Sequence, residues 1–152
     1  MDVVIASLPE YWQGFSATLF LLLCSGMGAL ALGILIAAMR ISPVASLRLF
    51  ATGYTELFRN IPLTLILFFC AYVLPYLGAA SAYEWLAILG LTLYTSPFVA
   101  EAIRSGINGV PIGQAEAARS IGLGFRQTLT LVVLPQAIRM VIPPLILSLI
   151  HI

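Results

Sequence analysis

The chain contains no lysine and has few charged residues of any kind. Charged side chains make up only 9% of its 152 residues, and all seven basic residues are arginine. Hydrophobic residues make up 61%, and the mean hydropathy is +1.07. Because a typical soluble domain is about a quarter charged, this composition excludes that class and predicts an integral membrane protein.

Patterns that support catalysis or metal binding are also missing. The single histidine is His151, so the sequence offers no Ser-His-Asp or Cys-His constellation and no metal-ligand cluster. Cys24 and Cys70 lie in separate apolar runs, where they behave as small hydrophobic residues rather than as a disulfide framework. No GxxxxGK[ST] phosphate loop is present. We therefore expect a non-enzymatic chain with no cofactor and no nucleic-acid partner, which takes its energy from another subunit.

Four apolar segments predict spanning helices, since about 20 apolar residues are needed to cross a bilayer. They cover about 15–39, 54–77, 84–103 and 128–150, and they form one all-α membrane domain over 1–152. The first segment has no charge and is rich in small residues that favour close helix packing. These small residues are Gly26, Gly28, Ala29, Gly33 and Ala37.

Prolines interrupt the later segments. Pro97, inside the third, predicts a kink or local unwinding in which neighbouring groups must satisfy freed carbonyls. Pro135 and the pair Pro143-Pro144 interrupt the fourth. We expect that segment to be a broken helix lining a pathway, because broken helices are tolerated where protein encloses a cavity.

Ionisable side chains within or beside the spans are candidates for a pathway, because charge in a membrane is costly and usually faces protein or water. Glu56 and Arg59 lie three residues apart ahead of Pro62, and we expect them to neutralise one another at the interface. A direct transport role for this pair is the alternative. The full set of candidate pathway residues is Glu56, Arg59, Asn60, Glu101, Arg104 and Arg139.

The placement of arginine predicts the orientation. Segments 1–13 and 75–85 hold no basic residue and only the acidic residues Asp2, Glu10 and Glu84. The first and third connections between spans hold Arg40, Arg48, Arg104, Arg119 and Arg126. By the positive-inside rule, the N-terminus lies outside and the connection 104–127 is cytoplasmic.

That cytoplasmic connection is a polar, glycine-rich island. Val110-Pro111 predicts a helix start, and Gly122 and Gly124 predict a stop in the left-handed conformation. Within the helix, Glu116 and Arg119 are spaced to pair. Ala117, Ala118 and Ile121 cluster at helical spacing and offer a small-residue face that a partner could approach closely. An amphipathic helix at the lipid headgroups is the other interpretation.

The spacing within the island resembles a known motif. Glu116-Ala117-Ala118 is followed after three residues by Gly122 and after nine more by Val132-Val133-Leu134-Pro135. This resembles the EAA loop, EAA-x3-G-x9-I-x-L-P, of ABC importer permease subunits. The flanking AEAIRSGI, GQAEAARSIGLG and LPQAIR, and the earlier TELFRNIP, resemble the permeases of polar amino acid uptake systems, of the glutamate/glutamine group.

The resemblance implies a type I, MetI-like permease fold in the cytoplasmic membrane of a bacterium. It implies ATPase subunits bound at the EAA loop, a second permease subunit, and an extracytoplasmic amino acid binding protein. The docking residues that it implies are Gly113, Glu116, Ala117, Ala118, Arg119, Ile121, Gly122, Leu134 and Pro135. A stand-alone secondary transporter or channel, with Glu101 as its coupling carboxylate, and a non-transporting membrane anchor are the alternative functions.

The end of the chain carries a separate expectation. Permeases of this resemblance continue beyond the Pro-Pro-Leu stretch with a Gly-Asn segment and one more spanning helix. Residues 147–152 have the sequence LSLIHI, which the DNA sequence CTG TCT CTT ATA CAC ATC encodes. That DNA sequence resembles a transposase adapter used to prepare sequencing libraries. We expect a truncated chain whose end is an adapter artefact; a natural apolar helix end is the alternative.

Overall fold

A computed structural model describes residues 7–79 and 82–150, with the side chains of 148–150 excepted. The expectations for Asp2, His151 and Ile152 fall outside these residues. The described chain is almost entirely helical and contains no strand, as expected. In chain order its elements are α1 Leu8–Arg40, α2 Ala45–Asn60, α3 Leu63–Phe68, a first π segment Phe69–Val73, α4 Leu74–Tyr76, α5 Tyr83–Gly109, α6 Ile112–Ser120, α7 Phe125–Gln127, a second π segment Thr128–Val133, and α8 Leu134–Ile150.

Three of these helical runs are long and apolar enough to cross a membrane. They are α1, α5 and the run Phe125–Leu147, and a fourth arises if α2 together with Leu63–Tyr76 is counted as one bent span. Helix α5 packs against α1, α2, α3 and α8 and is the centre of the fold. Its Ala100 joins Ile36 and Ala37 of α1 and Ala51 of α2 in a buried apolar cluster.

Small residues of α1 allow it to approach α5 closely, as the sequence predicts. Ala29, Gly33 and Ala37 are among the buried residues of α1. A Cβ at Gly33 would lie 2.5 Å from Cγ1 of Val99 and 3.0 Å from the backbone oxygen of Ser96 on α5. Since real side chains do not approach so closely, only glycine permits this separation of the two helices.

We expect Gly33→Ala to lower the free energy of unfolding by about 1–3 kcal/mol, because the added methyl group overpacks a stiff β-branched neighbour and a backbone oxygen. The measurement is thermal unfolding of the purified protein in detergent. Gly53→Ala in α2 is the matched control, because nothing lies within 4 Å of its Cβ position, and alanine is the better helix former by about 1 kcal/mol. Equal stabilities of the two variants would contradict the close contact.

The predicted span over 54–77 is not one helix. Helix α2 ends at Asn60, and the run Leu63–Tyr76 leaves it at an angle of 98°. The break lies before Pro62, where Ile61 has φ −95° and ψ 131°. Proline disfavours the helical conformation in the residue before it, so the local sequence ends α2 at this point. Helix α2 begins at Ala45, ahead of the predicted start of the span at about 54.

Helix α5 passes through Pro97 without interruption, so the alternative of local unwinding is wrong. Pro97 has no N–H, which leaves the carbonyl of Leu93 without its helical donor. The hydroxyl of Tyr54 on α2 donates to that carbonyl at 3.1 Å, and the Ser96 hydroxyl donates to it at 3.3 Å. The expectation that neighbouring groups satisfy the freed carbonyl is confirmed, and these donors keep the helix regular.

We expect Tyr54→Phe to destabilise the protein by about 0.5–1.5 kcal/mol, the net contribution of one hydrogen bond, because the Ser96 hydroxyl still donates to the Leu93 carbonyl. A double-mutant cycle isolates this effect from other consequences of losing the hydroxyl. In Pro97→Ala the backbone N–H of residue 97 returns to Leu93, so the same Tyr54 substitution should cost markedly less there. Tyr72→Phe, at an exposed tyrosine, is the control, and additive losses in the cycle would contradict the assignment.

Each π segment ends two residues before a proline, in the sequence Val-Leu-Pro. The N–H of Leu74 donates to the carbonyl of Phe69, five residues back, and the residue before Pro135 does the same. The wider turn gives the proline ring space from the carbonyl that it would otherwise strike. The fourth span is therefore a continuous helical run through Pro135, Pro143 and Pro144, and the predicted broken helix is wrong.

Candidate functional site

The centre of the polar island folds as helix α6, which ends in a Schellman motif. Gly122 has a φ of +87°, its N–H donates to the carbonyl of Arg119 at 2.9 Å, and the N–H of Leu123 donates to that of Ala118 at 3.2 Å. Positive φ costs glycine nothing, whereas other residues are strained there. The prediction that Gly122 stops this helix is confirmed.

The other predicted boundary residues behave differently. Pro111 is the residue before the helix rather than part of its first turn. Gly124 has φ −66° and precedes α7, where its N–H donates to the side-chain oxygen of Gln127 at 3.0 Å. The predicted left-handed conformation of Gly124 is therefore wrong. Gly122 alone takes that conformation at this turn, and Gly124 precedes the first residue of the next helix.

We expect Gly122→Ala to cost about 1–2 kcal/mol, since it places a Cβ in the left-handed region. Gly113→Ala is the matched control, because Gly113 lies inside α6 with nothing within 4 Å of its Cβ position. Hydrogen exchange of the α6 amides in detergent measures the local effect. Faster exchange is expected in Gly122→Ala and slower or unchanged exchange in Gly113→Ala; equal protection in both would contradict the role of the motif.

The two alanines of the EAA sequence point in different directions. Ala118 is only 4% exposed, on a helix that packs against the second π segment. Ala117 is exposed, and Ile121 is 78% exposed. The expected single small face made by these three residues does not form, because successive residues of a helix are turned by about 100°. Ala118 instead allows α6 to lie close to the second π segment of the same chain.

The outer side of the island is both apolar and charged. Glu116 and Arg119 are exposed, and no ion pair joins them, so the predicted pairing is wrong. Leu134 is partly buried and Pro135 is exposed at the start of α8. The exposed residues of the island include Ile112, Gly113, Glu116, Ala117, Arg119, Ile121 and Phe125. This set, here called the outer face, is available to a partner.

A cavity of about 600 Å³ opens beside α5. Six of its lining residues come from one face of that helix, and the others come from the end of α2, the start of α3, and α8. Arg59 and Glu101 bring charge to its wall. The lining residues are Arg59, Leu63, Tyr94, Thr95, Phe98, Glu101, Ala102, Ser105, Pro144 and Leu147.

Glu101 lies at the centre of an ionic cluster. One carboxylate oxygen accepts a hydrogen bond from Arg40 at the end of α1, and the other accepts one from Arg104, one turn further along α5. Arg40 is distant in sequence, and the close contact between α1 and α5 brings it to Glu101. The Nε of Arg104 is buried and has no partner among the described residues. The cluster therefore carries two positive charges and one negative charge.

Arg59 does not pair with Glu56, so the expected mutual neutralisation is wrong. Its guanidinium carbon lies 5.7 Å from the ring centroid of Phe98 on α5, a distance that suits a cation–π contact. Among the described residues Arg59 forms no ion pair. Helix α2 packs against α5, and this contact decides the partner of Arg59.

The remaining polar candidates do not line the cavity. Glu56, Asn60 and Arg139 are exposed, and the Asn60 side chain donates to the Glu56 carbonyl at 2.7 Å. The sequence interpretation also missed several residues that the structure brings into the site. These are Arg40, Tyr94, Thr95, Phe98 and Ser105. The last four lie on one face of α5 with Glu101, a helical spacing that was visible in the sequence.

Comparisons with known proteins agree on one family. The family model described as "Binding-protein-dependent transport system inner membrane component" matches residues 29–152. The chain is 45% identical over 156 residues to the glutamate transport system permease protein GluC of Corynebacterium glutamicum, covering 95% of this chain and 67% of that protein. It is 41% identical over 145 residues to the probable glutamine ABC transporter permease protein GlnM of Bacillus subtilis, with coverage of 95% and 67%.

Solved structures show the same similarity. The chain resembles a chain of an amino acid ABC transporter crystallised with histidines, with a TM-score of 0.91, 31% identity, and coverage of 98% of this chain and 70% of that one. It also resembles a chain of the MetNI methionine ABC transporter in an inward-facing conformation, with a TM-score of 0.72, 25% identity, and coverage of 96% and 71%. The chain thus spans about two thirds of the length of the curated relatives named above.

Proposed function

Because the chain belongs to the family of binding-protein-dependent transport system inner membrane components and has the MetI-like permease fold, we propose that it is the permease subunit of an ATP-driven importer for glutamate or glutamine. It is a multi-pass membrane protein from a family of amino acid ABC transporter permeases. The names of the relatives support the choice of substrate. ATP hydrolysis belongs to a partner subunit, since this sequence has no phosphate loop.

In the proposed assembly the N-terminus lies outside and α6 lies in the cytoplasm, which is supported by the distribution of arginine. Two ATPase subunits bind the EAA loops of this chain and of a second permease subunit. An extracytoplasmic binding protein delivers the amino acid. Closure of the ATPases on ATP moves the α6 helices and opens the pathway outward, and resetting after hydrolysis releases the amino acid inside.

The observation that carries this proposal is the two-sided character of α6. Its inner side is held by Ala118 against the second π segment, which continues into α8. Its N-terminal end follows directly from α5, with only Val110 and Pro111 between them. Its outer face carries exposed apolar and charged groups. A force applied to the outer face would therefore reach α5 and α8, two of the helices that line the cavity.

The state of Glu101 favours this function over a stand-alone secondary transporter. An ion-coupling carboxylate must be available to a proton or a cation during the cycle. Both carboxylate oxygens of Glu101 accept hydrogen bonds from arginines, Arg40 and Arg104. Another cation would have to displace one of these guanidinium groups, so the best candidate for ion coupling is occupied.

Substitution of the two EAA alanines separates docking from folding. We expect Ala117→Arg to abolish co-purification of the ATPase, because the larger side chain would occupy the space that the ATPase needs at this exposed position. The unfolding temperature in detergent should stay unchanged. Ala118→Arg should lower the unfolding temperature as well, because that side chain is buried within the chain. Ala45→Arg is the control, at an exposed alanine in the other arginine-bearing connection.

The measurements are recovery of the ATPase on the tagged permease and thermal unfolding of each variant. Normal recovery of the ATPase with Ala117→Arg would remove the docking role of α6 and favour a membrane anchor or an independent transporter. Equal loss of ATPase with Ala45→Arg would show that any added charge on this side of the membrane disturbs assembly, and would also contradict the assignment.

A further inference from the structure

The lengths of α1 and α5 locate both surfaces of the bilayer on this chain. Phe20 of α1 and Trp85 at the start of α5 form a T-shaped pair with ring centroids 6.2 Å apart, and tryptophan favours the membrane interface. Arg40 is 20 residues from Phe20 along α1, about 30 Å of helix and the thickness of a hydrocarbon core. Arg104 is 19 residues from Trp85 along α5, about 28 Å. Arg40 and Arg104 therefore lie at the opposite surface of the bilayer.

The residues that follow Arg40 place apolar side chains at this surface. The stretch from Ile41 to Phe50, here called the interfacial segment, leaves α1 and forms the first turns of α2. Its large apolar side chains are all exposed, with Leu49 at 74% and Phe50 at 62%. They are Ile41, Val44, Leu47, Leu49 and Phe50. Apolar side chains grouped with arginine at a bilayer surface are typical of a segment that inserts among lipid headgroups and acyl chains.

The interfacial segment also carries an uncompensated positive charge. Arg48 is exposed and forms no ion pair with the residues that the structure describes. Its Nη1 donates to the backbone carbonyl of Ser42 at 3.0 Å, which holds the guanidinium near the end of α1. Between positions 41 and 55 the sequence contains no acidic residue. A partner that compensates this charge must therefore come from outside the segment.

The neighbouring ionic cluster adds to the positive charge of this surface. Glu101 supplies one carboxylate to two arginines, Arg40 and Arg104, so the cluster keeps one surplus positive charge. With Arg48 the surplus is two. Each basic residue beside a membrane surface strengthens the attraction of anionic lipid, by on the order of fivefold. The charge of this surface thus favours anionic over zwitterionic headgroups.

We propose that the interfacial segment is a binding surface for anionic phospholipid, in which Arg48 receives the headgroup phosphate and the apolar side chains pack among acyl chains. A guanidinium presents a planar fork of donors that matches phosphate oxygens, and the bond to Ser42 uses only one of its nitrogens. The proposed orientation assigns this surface to the cytoplasmic leaflet. The binding surface itself requires only that α1 and α5 meet the bilayer as described.

The test uses the fluorescence of one tryptophan in the complete chain, reconstituted into phosphatidylcholine bilayers. The two native tryptophans, Trp12 and Trp85, are replaced by phenylalanine, and Phe50→Trp provides a reporter in the interfacial segment. Brominated phosphatidylglycerol or brominated phosphatidylcholine quenches the reporter when it binds beside it. We expect phosphatidylglycerol to bind there at least about fivefold more tightly, the effect of one basic residue. Leu49→Trp is a second reporter, at another exposed position.

The opposite surface of the bilayer provides a matched control within the same chain. Trp85 is 57% exposed and follows the acidic Glu84. In a chain that carries only Trp12→Phe, Trp85 is the reporter, and we expect it to show no preference for phosphatidylglycerol. A preference of equal size at Trp85 would show a general attraction of the protein for anionic lipid and would overturn the inference.

Variants of Arg48 test its role in the reporter chain. Arg48→Gln should lower the preference for phosphatidylglycerol by about threefold or more and leave phosphatidylcholine binding unchanged, because only the charge-dependent part is lost. Arg48→Lys should keep most of the preference, since the charge remains. Arg126→Gln is the control, at an exposed arginine beyond the end of α6, and should change neither lipid. Thermal unfolding of each variant confirms that it folds.

Four further outcomes would overturn the inference. Equal binding of the two lipids at both reporters would remove the selectivity, and an unchanged preference in Arg48→Gln would remove the role of this arginine. Quenching by neither lipid would mean that protein covers the segment, such as a second copy of the chain. Loss of phosphatidylglycerol quenching in excess inorganic phosphate, at matched ionic strength, would mean that the site takes free phosphate. The test contains no ATPase, so its failure leaves the proposed function untouched.

Discussion

The close contact between α1 and α5 is the constraint on which the other features of this structure depend. It exists because glycine and alanine leave the two backbones free to approach, and a Cβ at Gly33 would meet both a side chain and a backbone oxygen of α5. In a membrane the lipid tails are as apolar as the helix surfaces, so helix association depends on such packing. The contact carries Arg40 to Glu101, and Glu101 itself lines the cavity.

The second constraint is the need to satisfy backbone carbonyls where water is absent. An unpaired carbonyl in lipid costs several kcal/mol, and the prolines of this chain create such groups. At Pro97 the solution is a tyrosine hydroxyl from a neighbouring helix. Before Pro75 and Pro135 it is a π segment, which changes the hydrogen-bonding register within the helix. Both solutions keep the helical runs continuous at Pro75, Pro97 and Pro135.

The charged residues of the two functional regions have different surroundings. The island around α6 leaves its charged residues exposed, and its anchoring depends on a buried alanine and a left-handed glycine. The cavity has the reverse arrangement, since its carboxylate is enclosed by arginines and one cation is held on an aromatic ring. Helix α6 connects the two regions, because it follows α5 directly and packs against the π segment that continues into α8.

The sequence by itself determined those features that depend on local properties of the chain. Hydropathy over a span length identified the membrane class, positive φ at Gly122 followed from the freedom of glycine, and the EAA spacing pointed to the family. Only the tertiary structure decided which side of α6 is buried, which group Arg59 contacts, and which residues join Glu101. Arg40 and Glu101 are 61 positions apart, and no local pattern reports such a contact, because it arises from the direction in which helices pack. The 98° turn at Pro62 shows the same division: proline predicts where the helix ends, and packing against α5 decides where the chain goes next.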